Sequence, residues 1–424
     1  MVNPSLKHSM FQRFKNFFKG CINNAVVSLF LVIFIALLGI INTSMASQVI
    51  PIQIGDWYLE PTIDITLGRT DSEFFRDNVP TKDTYTQINP KVILSNKTKE
   101  REVFFSYELD AVQFNENSEG DYESSFLEGE YRRSISSHSD LSLRGEYKEN
   151  SLTNGVRSEL QVINPIDENQ RIDVDAKEVV LTYQFYGEKR QGAGHLFEAS
   201  LASGERDFSS SEVDVENRDL DYSKLEAKWR YRWAKGNSVF ANFNATDFEY
   251  KNQNTQANDQ FDNQETEFIV GFEWRARRNI SGEIGVGVIR KKFDNIDVDV
   301  EIPSFYGELE IMPTALDTFR LEAQRRSVEQ AGTGAFQDYR EIELSWTRRV
   351  SRRWSFDAYV GGGDVDYEDS TREDDFFRYG LIFEYRLSRV ADLIFGYKYY
   401  DDDSNEDRFD YNGNNLFITL STGL

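Results

Sequence analysis

Three groups of residues in this chain have the right types for chemistry, and each lacks the neighbours that chemistry needs. His138 and His195 are the only histidines beyond residue 8. A histidine base must sit within hydrogen-bond reach of a nucleophile or an activated water, with a third group to orient it. Both fall in or beside short connections, SISSHS (134–139) and GEKRQGAG (187–194), and nothing around them gives a reason to pair either with a nucleophile. Solvated turn histidines are expected, and no enzyme activity. The acidic runs Asp401, Asp402 and Asp403 with Glu406 and Asp407, and Glu373, Asp374 and Asp375, offer oxygen ligands for Ca²⁺. They lack the glycine-centred loop of a calcium hand, so they read as solvated loops, and no metal or cofactor is assigned. Gly361-Gly362-Gly363 lies within a strand pattern, where a bend or close packing is expected, not a phosphate cradle.

A fourth set handles a solute without transforming it. Lys224, Lys228, Arg230 and Arg232 share one parity of KLEAKWRYRW (224–233). Glu273 and Arg275 do so in EFIVGFEWR (267–275), Arg320 and Glu322 in FRLEAQRR (319–326), and Glu384 and Arg386 in LIFEYRLS (381–388). On the wall of a water-filled passage, charges of both signs set which ions and solutes pass. These residues are expected to line one. A basic cluster on the short-connection side, including Arg348, Arg349, Arg352 and Arg353, is expected to meet phospholipid headgroups.

What could hold them on such a wall is written in the opposite parity. There stand Leu225, Ala227, Trp229, Tyr231 and Trp233, then Phe268, Val270, Phe272 and Trp274, then Leu381, Phe383 and Tyr385. A period of two is a strand with one apolar and one polar face. A soluble core would use more small aliphatics and fewer Tyr and Trp. If the apolar face meets lipid, an Arg or Lys of the wrong parity at mid-bilayer costs about 2–4 kcal/mol. The alternation is largely that strict.

Composition agrees. Aromatics make up 14% of the 424 residues, with 32 Phe and 21 Tyr against 8 Pro, which favours strands over helix or disorder. The formal net charge of -24 makes nucleic acid an unsuitable partner. The single cysteine, Cys21, precedes an apolar run at 25–41. With Lys7, Arg13, Lys15 and Lys19 ahead of that run and Ser44-Met45-Ala46 after it, residues 1–46 read as an export signal cleaved after Ala46. Residues 47–424 are then the mature domain.

From Trp57 onward, short connections such as NKTKE (96–100), KGN (235–237) and SRVA (388–391) alternate with long acidic ones. The long ones include KNQNTQANDQFDNQ (251–264), DNIDVDVEIP (294–303) and DDDSNEDRFDYNG (401–413). The count is about 18 strands with both ends on the short-connection side, the layout of an all-β, transmembrane, antiparallel up-and-down β-barrel of the bacterial outer membrane. Trp229, Trp233, Trp274, Trp346 and Trp354 lie toward the short connections and are expected to form the inner-leaflet girdle. Tyr222, Tyr250, Tyr367, Tyr399 and Tyr400 are expected to form the outer one. Segment 149–176, with Pro165, either enters the lumen or stands outside.

The stretches GRTDSEFFRDN (68–78), YTQINPKVIL (85–94) with Pro90, and the Tyr-rich pair over 101–150 resemble the β-barrel porin 2 family associated with exopolysaccharide operons. The resemblance implies a conduit for export of an extracellular polysaccharide, with no catalytic motif to carry over. Where polysaccharide-export barrels line their tunnel with Arg and Lys, this chain mixes both signs. The alternatives are a general diffusion porin and a plugged barrel with a structural or adhesive surface role. The partners expected are outer-membrane lipid and lipopolysaccharide, a saccharide polymer or small solutes, and periplasmic polysaccharide-export proteins.

Overall fold

The computed structural model describes residues 51–71, 82–116, 118, 121–153, 171–187, 193–209, 219–234, 236–251, 262–277, 279–294, 299–329, 336–368, 371–406 and 410–423. The expected export signal lies outside these residues, as do residues 154–170 of the 149–176 segment. The rest of that segment is strand.

Among the described residues there are nineteen strands, the first of them a three-residue piece, β1 (Ile52–Ile54), that pairs with the start of the second. The others are β2 (Trp57–Thr70), β3 (Asp83–Lys97), β4 (Arg101–Phe114), β5 (Tyr122–Ser136), β6 (Ser139–Thr153) and β7 (Arg171–Tyr186). They continue as β8 (Gly194–Ser209), β9 (Leu220–Ala234), β10 (Asn237–Tyr250), β11 (Asn263–Arg277), β12 (Ile280–Phe293) and β13 (Asp299–Ile311). The last six are β14 (Asp317–Glu329), β15 (Phe336–Arg349), β16 (Trp354–Tyr367), β17 (Glu373–Arg386), β18 (Ala391–Ser404) and β19 (Tyr411–Gly423). From β2 each strand pairs antiparallel with the next, and β19 returns to β2 through Leu420 opposite Ile65 and Thr419 opposite Thr66. The eighteen long strands make a closed ring. The closure leaves no sheet edge across the apolar band, which a spanning sheet requires because lipid offers no hydrogen bonds. No helix among the described residues is long and apolar enough to cross a membrane; the crossing is made by strands.

The two faces are inverted relative to a soluble protein. Leu416 is 61% exposed and Leu201 58%, whereas Lys291 is 2% exposed. Apolar side chains of the outward parity form a band around the ring, for example Ile284, Val286 and Val288 on β12, or Trp274, Phe272, Val270 and Phe268 on β11. About nine residues per strand lie in it, which at 3.3 Å per residue and a 40° tilt is about 23 Å of hydrocarbon.

The strands run well past that band at the long-connection end. Residues 299–303, 263–264 and 401–404, read from sequence as loop, are strand. There the outward parity turns from apolar to charged. Arg290 meets Glu301 at 2.8 Å, Arg340 meets Asp364 at 2.7 Å, and Lys177 pairs with Glu205. Lys251, just past the end of β10, binds Asp207 at 2.8 Å and Asp221 at 2.9 Å. Partial removal from water pulls its pKa down, but hydrogen bonds to the two carboxylates outweigh this and hold it above the ordinary lysine range. The ladder thus continues into water, with paired charges facing outward where the lipid ends.

Candidate functional site

The inward parity builds a charged wall in which most cations are shared by several carboxylates. Arg320 on β14 reaches Glu308 at 3.4 Å, Glu310 at 3.3 Å and Glu322 at 3.6 Å. Arg230 on β9 reaches Glu273 on β11 at 3.3 Å and Glu283 on β12, three strands on, at 3.4 Å. Lys228 sits between Glu198 at 3.4 Å and Glu226 at 3.9 Å, and Lys224 is 2.5 Å from Glu226. Arg378 joins Glu341 and Glu343. Glu384 accepts a hydrogen bond from Ser355 at 3.1 Å, and Arg386 lies 3.5 Å from Asp392. Arg232 and Arg275 share the inward parity, Arg275 packing its stem over Gly236. All ten charged positions expected to line a passage fall on this face, and most gather into local ladders around the wall. The strand-to-strand spacing of about 4.8 Å lets one guanidinium span two or three carboxylates.

The tryptophans face the other way. Trp229 donates its indole N–H to His195 Nδ1 at 3.1 Å, and Trp346 donates to Asp317 at 3.2 Å, with Arg348 on the same carboxylate at 3.2 Å. Trp233 stacks on Phe272 at 5.8 Å, Phe272 on Trp274 at 5.8 Å, and Trp354 meets Tyr385 at 4.5 Å. An apolar ring with a wetted N–H suits the lipid–water boundary. At the opposite end Tyr399 faces outward with Tyr379, at 5.1 Å. Tyr222, Tyr250, Tyr367 and Tyr400 do not: they have the inward parity, Tyr222 donating to Glu178 at 2.8 Å and Tyr250 to Glu329 at 2.9 Å. Tyr399 and Tyr400 are consecutive in a strand, so only one of them could face lipid.

One feature interrupts the regular ring. Pairing between β13 and β14 stops at Phe305 opposite Arg325, whereas β14 stays paired with β15 up to Glu329 opposite Phe336. Above that point the described upper ends of β14 and β15, up to Glu329 and from Phe336, leave the ring and lie against its inner wall. The Glu329 carboxylate crosses β13 to take hydrogen bonds from Lys291 on β12, from Tyr250 on β10 at 2.9 Å and from Asn263 on β11 at 3.2 Å. Lys291 also meets Glu265 at 3.1 Å, and its ammonium lies 4.8 Å from the Phe336 ring. Phe336 packs with Ile289, Phe293 and Ile302 in one cluster, while Val328 packs with Tyr339, Val365, Tyr367 and Phe376 in another. These two strand ends are held between apolar layers inside the barrel.

A family model described as "Putative beta-barrel porin 2" matches residues 48–423. The chain belongs to this porin family. No curated protein matches its sequence. Among solved structures it is similar to the FrpB iron transporter of Neisseria meningitidis (F5-1 variant), with 9% identity and a TM-score of 0.51 over 82% of this chain and 64% of that one. It therefore spans about two thirds of FrpB. It also matches two Pseudomonas aeruginosa outer-membrane proteins, opdK (11% identity, TM-score 0.47, 86% and 99% covered) and OccK2 (9%, 0.48, 88% and 99%). These likenesses concern the fold of an outer-membrane β-barrel.

In this porin both histidines are accounted for by ordinary contacts. His138 is exposed in a turn with Ser137 Oγ 2.8 Å from its Nδ1, and His195 is part of the aromatic girdle beside Phe197, Trp229 and Tyr231. Among the described residues no group of three or more His, Cys, Asp and Glu is placed to hold a metal ion. The triple glycine lies within β16. Sequence reasoning missed the Lys291 cluster and the inward ends of β14 and β15.

Proposed function

We propose that this outer-membrane barrel is an aqueous conduit and that its cargo is a saccharide chain. The observation that supports the conduit is the polar inner wall inside a ring of eighteen strands. Strands spaced about 4.8 Å and tilted about 40° make such a ring about 36 Å across between backbones, and barrels of this size hold a water-filled channel. The saccharide cargo is what the resemblance to porins of exopolysaccharide operons implies, and the mixed wall suits hydroxyl-rich polymers better than a polyanion. Residues 1–46 are proposed to direct export and to be removed, and periplasmic polysaccharide-export proteins and lipopolysaccharide are the proposed neighbours.

Planar-bilayer recording of the purified barrel tests this. Discrete conductance steps are expected, interrupted by linear oligosaccharides but not by polyethylene glycol of equal size. Equal response to both polymers would favour a general diffusion porin. The inward placement of Glu329 and Phe336 at the ends of β14 and β15 supports a second reading, a closed surface barrel, for which the bilayer would stay silent.

The charge ladders give a further expectation. Replacing Arg320 by Ser leaves Glu308, Glu310 and Glu322 without their shared cation, and replacing Arg230 and Arg232 as well deepens the negative field. The reversal potential across a KCl gradient should shift toward K⁺ selectivity. An unchanged potential would mean that these side chains do not meet the permeating ions.

A further inference from the structure

From the register of five strands we infer a saccharide-stacking shelf on the inner wall between β18 and β4, an assignment that rests on the saccharide reading above. One lateral row of inward positions runs Gly396, Phe417, Gly68, Tyr85, Phe114, each directly opposite the next. Its first four members alternate absent and large side chains, and the last two are both rings. The tip of the Phe417 ring lies 2.0 Å from where a Cβ on Gly396 would be, and Tyr85 Cζ lies 2.2 Å from a Cβ on Gly68. Only glycine admits rings so close to the backbone. Each ring therefore leans sideways over its neighbour strand instead of pointing across the lumen. Tyr85 and Phe114 meet at 5.7 Å, and all three rings remain half-buried, with surface left toward the interior. The row is a low aromatic ledge.

What flanks the ledge is hydrogen-bonding capacity, mostly from Thr, Gln and Asn, with one carboxylate and one ammonium of opposite sign, Asp110 and Lys398. Thr66 and Thr419 share a hydrogen bond at 2.7 Å on the next inward row, where Gln87 donates to Asp110 at 2.7 Å. Asn415 accepts from the Tyr85 hydroxyl at 3.0 Å, and the Lys398 ammonium lies 5.5 Å from the Phe417 ring. Among the described residues the inner face of these five strands carries no arginine, in contrast to the ladders of Arg144, Arg230, Arg320 and Arg378 on the rest of the wall. A pyranose has an apolar C–H face and a rim of hydroxyls. Flat rings bordered by Thr, Gln and Asn, with Asp110 and Lys398 as further hydroxyl partners, fit both. The ligand class is a neutral saccharide chain.

The test is calorimetric titration of the detergent-solubilised barrel with maltohexaose as the neutral linear probe. The double variant Tyr85→Ala with Phe417→Ala should bind about tenfold more weakly or worse, two stacking contacts being lost. Tyr85→Phe keeps the ring and should bind as the parent does; Phe417→Leu keeps apolar volume without a ring and should weaken binding. That pair carries the test if the double variant fails to fold. Equal affinity in the parent and Phe417→Leu overturns the shelf, and rings there only cover glycine. Swelling of proteoliposomes in the same sugar reads the cargo separately. Permeation with affinity insensitive to these substitutions removes the shelf and leaves the saccharide reading standing; neither permeation nor binding removes both.

Discussion

Replacing Lys291 with methionine should cost the folded barrel about 3–5 kcal/mol, because it leaves the buried Glu329 carboxylate without its counter-charge. The Lys291 side chain is 1% exposed and the Glu329 side chain 5%, so water reaches neither well enough to take over. Glu265, at 3.1 Å, would also lose its partner. The ammonium sits between the rings of Phe248 and Phe336, at 5.6 Å and 4.8 Å, in a setting where a hydrocarbon side chain would otherwise be welcome. Adding Glu329→Gln and Glu265→Gln to the methionine variant should therefore restore most of the loss, since a neutral set replaces the half-empty ionic one. Urea unfolding in lipid vesicles, followed by the fluorescence of the girdle tryptophans, measures both variants. A single variant as stable as the parent would mean that the ends of β14 and β15 are not seated on β10–β12 by this cluster. Because Glu329 joins three strands that do not touch β14, the same substitutions should raise the frequency of open-state conductance.

Much of the ring was legible because a spanning strand has one physical demand at every second residue. Leu225 through Trp233 and Phe268 through Trp274 could only face lipid once Lys228, Arg230 and Glu273 occupied the other parity. The long connections were overestimated for a related reason. Asp299, Glu301, Asp401 and Asp403 look like loop by charge, but outward positions above the hydrocarbon are wet, so acidic residues are tolerated in strands that continue there. The tyrosine girdle was misread where parity was ignored, as the adjacent Tyr399 and Tyr400 show. The inward ends of β14 and β15 were not legible at all. Glu329 and Phe336 have the parity that lower down meets lipid, and that same face packs on the inner wall of β12 once these ends leave the ring. Lys291, in the run Arg290-Lys291-Lys292, looks like any solvated cation until a partner arrives from two strands away.

The substitution Val286→Arg should destabilise the barrel by about 2–4 kcal/mol, the cost of a cation facing the middle of a bilayer. Val286 is 55% exposed and stands opposite Val270 on one side and Phe305 on the other, three outward apolar positions abreast. Along its own strand Ile284 and Val288 extend the patch in both directions, so the guanidinium has no nearby headgroup to reach. The contrast lies one face away. Gln324, opposite the inward Tyr306, already donates to Glu341 at 3.2 Å, and Gln324→Arg adds a cation beside that carboxylate within reach of water. It should change stability by no more than about 0.5 kcal/mol. Both are read by urea titration of the refolded barrel in vesicles of matched thickness. The two values must differ for the apolar face to be in hydrocarbon. If Val286→Arg were as mild as Gln324→Arg, the exposed leucines and valines would be covered by something other than lipid, and the conduit would have no membrane to cross.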